Sequence, residues 1–234
     1  MQKLIRHLQT ATVTPSSRPA RVYIREGALF YNDASGDHFC TASVVESPKM
    51  NLLITAAHCI HTGRGGSYRK NMVFAPQYLD GSTPDGIWTV SSELVGDTWI
   101  KSSDADMDVG FMTVAAQNGK NIGEVLGANA LGINPGYTNV VRVVGYPSNG
   151  NAPITCVNKT TKQSDTQVRF ACQGYFKGTS GSPWLTRPDP KSPAATIVGV
   201  VGGYQAGGST DYVSYSPYFG NAVKDLYTKA QSLS

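Results

Sequence analysis

The sequence predicts an all-β fold, an antiparallel sandwich or barrel, closed by one C-terminal helix. Three observations carry this. Short stretches rich in Val, Ile, Thr and Tyr recur along the 234 residues, bounded by Gly, Pro, Asn or Asp, as strands with one packed face require. Gly supplies 25 residues and Pro 13, which means many turns without a low-complexity signature. Only one segment, near the C-terminus, changes its apolar period from that of a strand to that of a helix. The length allows one or two domains and a sizeable core. With 15% charged residues, against about 25% in ordinary domains, disorder is disfavoured.

The expected strands, in order, are Val22–Ile24, Thr41–Val45, Leu52–Ala56, Met72–Phe74, Gly86–Val95, Val109–Val114, Val140–Gly145, Gln167–Cys172 and Thr196–Val201. Arg187–Pro193, reading RPDPKSP, is an exposed loop by composition. In Tyr218–Leu233 the apolar Val223, Leu226, Tyr227 and Ala230 fall at i, i+3, i+4 and i+7, an amphipathic helix that Asn221 is placed to cap. The Ser/Thr/Pro/Arg-rich start, Met1–Arg21, is expected to be a mobile segment ahead of a domain over 22–234.

Charge and composition exclude several functions. A net charge of +4 with no Lys/Arg-rich run gives no reason to invoke nucleic acid. No apolar run approaches the roughly 20 residues that span a bilayer. Met1–Arg21 carries Lys3 and Arg6 but no apolar core of signal-peptide length, so the expectation is a leader already removed or a route without one. Cys40, Cys59, Cys156 and Cys172 allow three disulfide connectivities. Sequential pairing, Cys40–Cys59 and Cys156–Cys172, is favoured over free thiols and implies an oxidising compartment. The absence of any C-x-x-C speaks against a zinc site, and no cofactor is expected.

Three motifs carry chemistry. Leu53–Cys59, reading LITAAHC, runs an apolar strand into small residues and presents His58, whose ordinary pKa of about 6.5 suits a base at neutral pH. Asp106–Phe111, reading DMDVGF, places Asp108 at the mouth of an apolar strand, where a carboxylate can hold an imidazole in its useful tautomer. Asp104 and Asp106 are fallbacks expected to be solvated. Gly178–Pro183, reading GTSGSP, sets glycines around Ser180 in a turn that other residues resist. That turn can aim the Gly178 and Ser180 N–H groups at one point as an oxyanion hole. The chain order is His, Asp, Ser. Subtilisin-type chains run Asp, His, Ser and α/β-hydrolases run Ser, Asp, His.

With those strings in place, the sequence resembles the chymotrypsin/trypsin-type serine peptidases, and most closely the secreted trypsin-like peptidases of bacteria and fungi. TAAHC, DVGF and GTSGSPW occupy the family's relative places, and HFCTASVVES, IVGVVGGYQAGG and VSYSPYFG are similar to its strings. The resemblance spans about Gly27 to Ala230. It implies two packed six-stranded antiparallel β-barrels, roughly 22–115 and 116–234, with a C-terminal α-helix. It implies His58, Asp108 and Ser180 as catalytic triad, Gly178 and Ser180 as oxyanion donors, a protein or peptide substrate, protein inhibitors as further partners, and an extracellular location.

Two departures stand out. Many relatives carry Asp just before the nucleophile, where a newly freed N-terminal amine pairs with it. Here that residue is Thr179, which forms no ion pair, so removal of Met1–Arg21 is expected neither to switch the protein on nor to cost much activity. The resemblance also puts Gly174, Val201, Gly202 and Gly203 around the substrate pocket, the last three pairing with the substrate backbone as an added strand. No acid lies between Asp165 and Ser180, leaving Asp211 as the one nearby carboxylate that a basic side chain could meet. Val201 stands where glutamate-preferring relatives use His. Lys177 lies at the rim. The expected preference is for an apolar or small side chain. The competing readings are a non-catalytic homologue acting as a binding module, an esterase, and a carbohydrate-binding β-protein. The last needs an aromatic platform that the scattered Trp88, Trp99 and Trp184 do not form. Asn158-Lys159-Thr160 fits an N-glycosylation acceptor.

Overall fold

The computed structural model describes residues 14–20, 23–33, 36–186 and 194–233. The expected loop Arg187–Pro193 lies outside the described residues, as does Val22. Strand β1 is Arg18–Pro19. It is followed by β2 (Glu26–Asp33), β3 (Gly36–Val45), β4 (Leu52–Thr55), the single-turn helix α1 (Ala57–Ile60), β5 (Val73–Pro76), β6 (Trp88–Val95), α2 (Asp97–Ser102) and β7 (Gly110–Val114). The second half holds α3 (Ile122–Leu126), β8 (Ala130–Leu131), β9 (Val140–Gly145), β10 (Ile154–Lys159), β11 (Thr161–Lys162), β12 (Gln167–Ala171), β13 (Pro183–Thr186), β14 (Thr196–Val200), β15 (Val213–Pro217) and α4 (Asn221–Ala230).

The first half closes into a six-stranded antiparallel barrel in the order β2-β3-β4-β7-β6-β5. Its interior holds Leu29, Val44, Leu53, Phe74, Trp88 and Met112. The second half comprises a six-stranded sheet, β1-β10-β9-β13-β14-β8, and a three-stranded sheet, β11-β12-β15. The ladder breaks between these sheets, and other links span the gap. Gly202 donates to the Tyr215 carbonyl (3.0 Å), Asn158 Nδ2 donates to the Ala171 carbonyl (2.7 Å), and a disulfide joins Cys156 to Cys172. The Asn158 amide is therefore committed to closing the barrel, and Thr160 of the same acceptor triplet is buried.

Strand β4 shows how a continuous apolar run arises. Side chains alternate faces along a strand. Leu53 enters the first barrel, while Leu52 and Ile54 point into the seam between the halves. Phe111 and Met112 of β7 divide the same way. Both faces are buried, so a polar side chain enters only with a partner, as Thr55 does on the Thr41 carbonyl. Helix α4 lays Val223, Leu226 and Ala230 onto that seam.

Three sequence expectations change. Ile24 sits in a turn, and the first long strand begins at Glu26. Helix α4 is shorter than 218–233, with Gly220 at its N-cap. Asn221 does not cap it, because its Oδ1 accepts from Asn134 Nδ2 (3.2 Å). Part of the stretch expected to be mobile is paired: Arg18 and Pro19 lie opposite Thr155 and Ile154. Ser17 donates to the Gln173 carbonyl (2.8 Å), and Gln173 donates to that of Pro15 (2.8 Å). Backbone donors on an otherwise open sheet edge recruit this segment whatever its side chains. Removing Met1–Arg21 would strip those bonds from the loop leading to Ser180.

Candidate active site

His58 occupies α1, the one-turn helix after β4. The adjacent Cys59 is bonded to Cys40 of β3, so the turn is stapled to the barrel wall. Asp108 follows the 3-10 turn Ala105–Met107 directly ahead of β7 and is fully buried. Three N–H groups meet its carboxylate. The His58 backbone donates to Oδ1 (2.9 Å), the His58 ring meets Oδ2 through Nδ1 (2.8 Å), and Gly203 donates to Oδ2 (2.8 Å). A carboxylate oxygen accepts, so Nδ1 carries the hydrogen and Nε2 keeps its lone pair.

The imidazole is 22% exposed. Burial works to lower its pKa, but the charge and hydrogen bond of Asp108 together outweigh that. Arg69 opposes them weakly, and His58 ends above the ordinary histidine value. His61 differs: burial lowers its pKa, and its Nδ1 accepts from the Gly63 N–H (3.0 Å).

Ser180 sits in a turn made by two glycines with left-handed backbones, Gly178 (φ 92°) and Gly181 (φ 79°). Gly181 donates to the Val201 carbonyl (2.7 Å). A methyl group on it would run into Thr55 Oγ1 and the Thr41 carbonyl and lie 3.1 Å from the Ala56 nitrogen. This close approach sets the Ser180 turn against the segment that leads into His58. Neither the Gly178 nor the Ser180 N–H is bonded to another group among the described residues.

Thr41, which the sequence reading passed over, knits these parts together. Its N–H donates to the Ser180 carbonyl (2.8 Å), and its carbonyl accepts from Thr55 Oγ1 (2.7 Å). Its hydroxyl donates to the Gly178 carbonyl (3.2 Å) and accepts from the Tyr146 N–H (2.9 Å). The Gly178 partner lies 137 positions away and Ser180 still farther, and position beside Cys40 is the only hint the sequence offers.

The fold brings Val201, Gly202 and Gly203 beside these groups, with Gly202 against Ala56 and Asp108. Pairing with a substrate strand is not open to their N–H groups, because all three are used internally: Val201 on Ser182, Gly202 on Tyr215 and Gly203 on Asp108. Gly174 is held from another side. It donates to the Asp211 carbonyl (2.7 Å), and Ser17 Oγ occupies the place a Cβ would take. Asp211 thus fixes this loop through its backbone. Asp104 and Asp106 are also engaged rather than solvated: Asp104 accepts from the Asp106 N–H (3.0 Å), and Asp106 accepts from Gln167 (2.8 Å). One His58 ring nitrogen and the sulfurs of Cys40 and Cys59 lie within 4.8 Å of one another. Those sulfurs are bonded to each other, so they offer no thiolate to a metal.

The family model described as Trypsin matches residues 11–223. The chain belongs to the trypsin family. It is by family a serine-type endopeptidase, a hydrolase whose substrates are proteins or peptides. Among solved structures, this trypsin-family chain is similar to the protease Anisep from Arthrobacter nicotinovorans, with 24% identity and a TM-score of 0.83 over 93% of this chain and 100% of that one. It is similar to the thermostable serine protease AL20 from an extremophilic microorganism, with 25% identity and a TM-score of 0.81 over 90% and 98%. A Glu endopeptidase shares the fold at 18% identity, with a TM-score of 0.76 over 94% and 98%. No curated protein matches the sequence at a significant level. The two disulfides of this trypsin-family protease suit an extracellular protein. Among the described residues no helix is long and apolar enough to cross a membrane.

Proposed function

We propose that Ser180 is the nucleophile, His58 the general base and then acid, and Asp108 the carboxylate that orients His58. The observation that carries this is the triple hydrogen bonding of the buried Asp108, which leaves the His58 Nε2 lone pair free for a hydroxyl proton. Ser180 Oγ attacks the scissile carbonyl as His58 takes its proton. The bond to the leaving amine breaks as His58 returns that proton. Water, activated by the same base, then attacks the acyl-enzyme and frees Ser180. The unbonded N–H groups of Gly178 and Ser180 receive the oxyanion, each contributing about 3–4 kcal/mol in the transition state. Ser180 supplies the proton moved in acylation and water the one moved in deacylation, and His58 carries both.

The side chain at the cleavage point is apolar or small on this reading. The loop from Cys172 to Ser180 holds no acid, and Asp211 meets it through a carbonyl. The enzyme is secreted and works on extracellular protein or peptide. Casein hydrolysis by the parent chain and by Ser180→Ala tests the assignment. The expected result is a loss on the order of 10^6 in turnover with an unchanged fold. Equal hydrolysis by both would remove Ser180 from the mechanism, and none by either would favour the binding-module reading.

A further inference from the structure

We propose that Gln167 is a positioning residue. Its carboxamide ties the turn that presents Asp108 to the Gly203–Tyr204 segment and withholds that segment's last N–H from the substrate. The inference rests on the triad reading above and adds how extended substrates are met.

Gln167 opens β12 and is 5% exposed. A polar side chain at such a depth is costly unless every donor and acceptor is matched. Here the match is complete. Nε2 donates to the Ala105 carbonyl (3.0 Å) and to Asp106 Oδ1 (2.8 Å), both in the turn that delivers Asp108. Oε1 accepts from the Tyr204 N–H (3.0 Å). The neighbouring Gly203 donates to Asp108 itself, so a single amide bridges the turn that carries the carboxylate and the segment that grips it. Gly203 makes room for it: its φ is +80°, and a Cβ there would collide with Gln167 Oε1.

The consequence for substrate follows from counting donors. A peptide adds to a sheet edge through N–H and C=O groups that the edge leaves free. Val201 donates to the Ser182 carbonyl (2.9 Å) and Gly202 to that of Tyr215 (3.0 Å). Gly203 donates to Asp108 (2.8 Å) and Tyr204 to Gln167 (3.0 Å). Four successive N–H groups are spent internally, and so are the Val201 and Gly203 carbonyls, which accept from the Gly181 (2.7 Å) and Ala206 (2.9 Å) N–H groups. Residues upstream of the attacked carbonyl therefore add little to recognition.

Acylated p-nitroanilides of one and of three residues, carrying the side chain best cleaved in a peptide library, test this with kcat and KM measured separately. The wild type is expected to gain less than about fivefold in kcat/KM on lengthening, below the worth of one good hydrogen bond. Gln167→Glu keeps the acceptor for Tyr204 but loses both donors and sets a carboxylate against Asp106. It should stay indifferent to length while losing about tenfold in kcat at nearly constant KM. Gln167→Ala frees the Tyr204 N–H and should acquire a length dependence of about three- to tenfold, mostly in KM. A wild-type gain of about a hundredfold or more, or a Gln167→Glu enzyme with the parent kcat, overturns the inference. The wild-type series decides the donor claim even if neither variant folds. Fluorophosphonate labelling runs alongside. An enzyme labelled at Ser180 with steep length dependence overturns this inference alone, while an unlabelled folded chain overturns the triad reading and this inference with it.

Discussion

Asp108 and Gly178 show how closely single residues are constrained here. The buried Asp108 carboxylate meets three N–H groups. Asp108→Asn would turn an amide NH2 toward at least one of these donors and favour the wrong imidazole tautomer. The expected loss is about 10^4-fold in kcat with the fold intact. The pH profile adds a second reading. In the parent chain Asp108 overcomes burial and holds His58 above its ordinary value, so the base is protonated and idle until the pH passes that raised value. Without the carboxylate charge, burial and Arg69 act unopposed, and the acid limb of the residual kcat/KM should move to lower pH. At Gly178, φ is +92°, and an added methyl would lie 2.7 Å from the Tyr146 carbonyl oxygen and 2.9 Å from the Ser148 nitrogen. Neither backbone atom can step aside. Gly178→Ala should therefore swing the oxyanion donor out of line and lower kcat about 10^2–10^3-fold with KM little changed, as steady-state kinetics would show.

Among the elements, the second half depends on links other than strand pairing. The Cys156–Cys172 bridge, with a sequence separation of 16, joins β10 to the end of β12 where no ladder runs. Replacing both cysteines by serine should cost about 3 kcal/mol, read from a denaturant titration. The elements also show what sequence can reveal. TAAHC and GTSGSP were legible because their chemistry is local: a presented imidazole, and a serine between turn glycines. Val109–Val114 was legible because burial on both faces leaves a nearly unbroken apolar run, and Val140–Gly145 because buried Val141 and Val143 alternate with exposed Val140 and Arg142. Strand β2, EGALFYND, was not, because Gly, Asn and Asp suggest a turn while barrel closure with β3 and β5 makes it a strand. Strand β13 begins at a proline, which reads as a boundary. The grip of Gly203 on Asp108 spans 95 positions and that of Gln167 on Tyr204 spans 37. No local pattern encodes such contacts, since any buried amide or glycine looks the same in the sequence.

Across the molecule, the two halves meet at a seam where Glu26, an acid outside the reaction, lies buried. Glu26 is 3% exposed. Its Oε1 accepts from Asn129 Nδ2 (2.8 Å) and Ser43 Oγ (3.3 Å), and Asn129 Oδ1 accepts from the Ala195 N–H just ahead of β14 (3.1 Å). Burial raises the Glu26 pKa against these hydrogen bonds and the nearby Arg25 charge. A carboxyl raised in the folded state favours folding below its ordinary range, and that contribution is lost as pH rises through the raised value. Glu26→Gln keeps an acceptor at Oε1 and never ionises. It should gain about 1–2 kcal/mol over the parent at pH 8 and converge with it below about pH 4, as melting curves across pH would show. The seam matters because it holds the half that bears His58 and Asp108 against the half that bears Ser180. Mapping the adduct left by a fluorophosphonate on the folded chain tests that juxtaposition most directly. The result predicted is one adduct, on Ser180, that does not form once the chain is unfolded; an adduct on any other residue, or none on the folded chain, would contradict it.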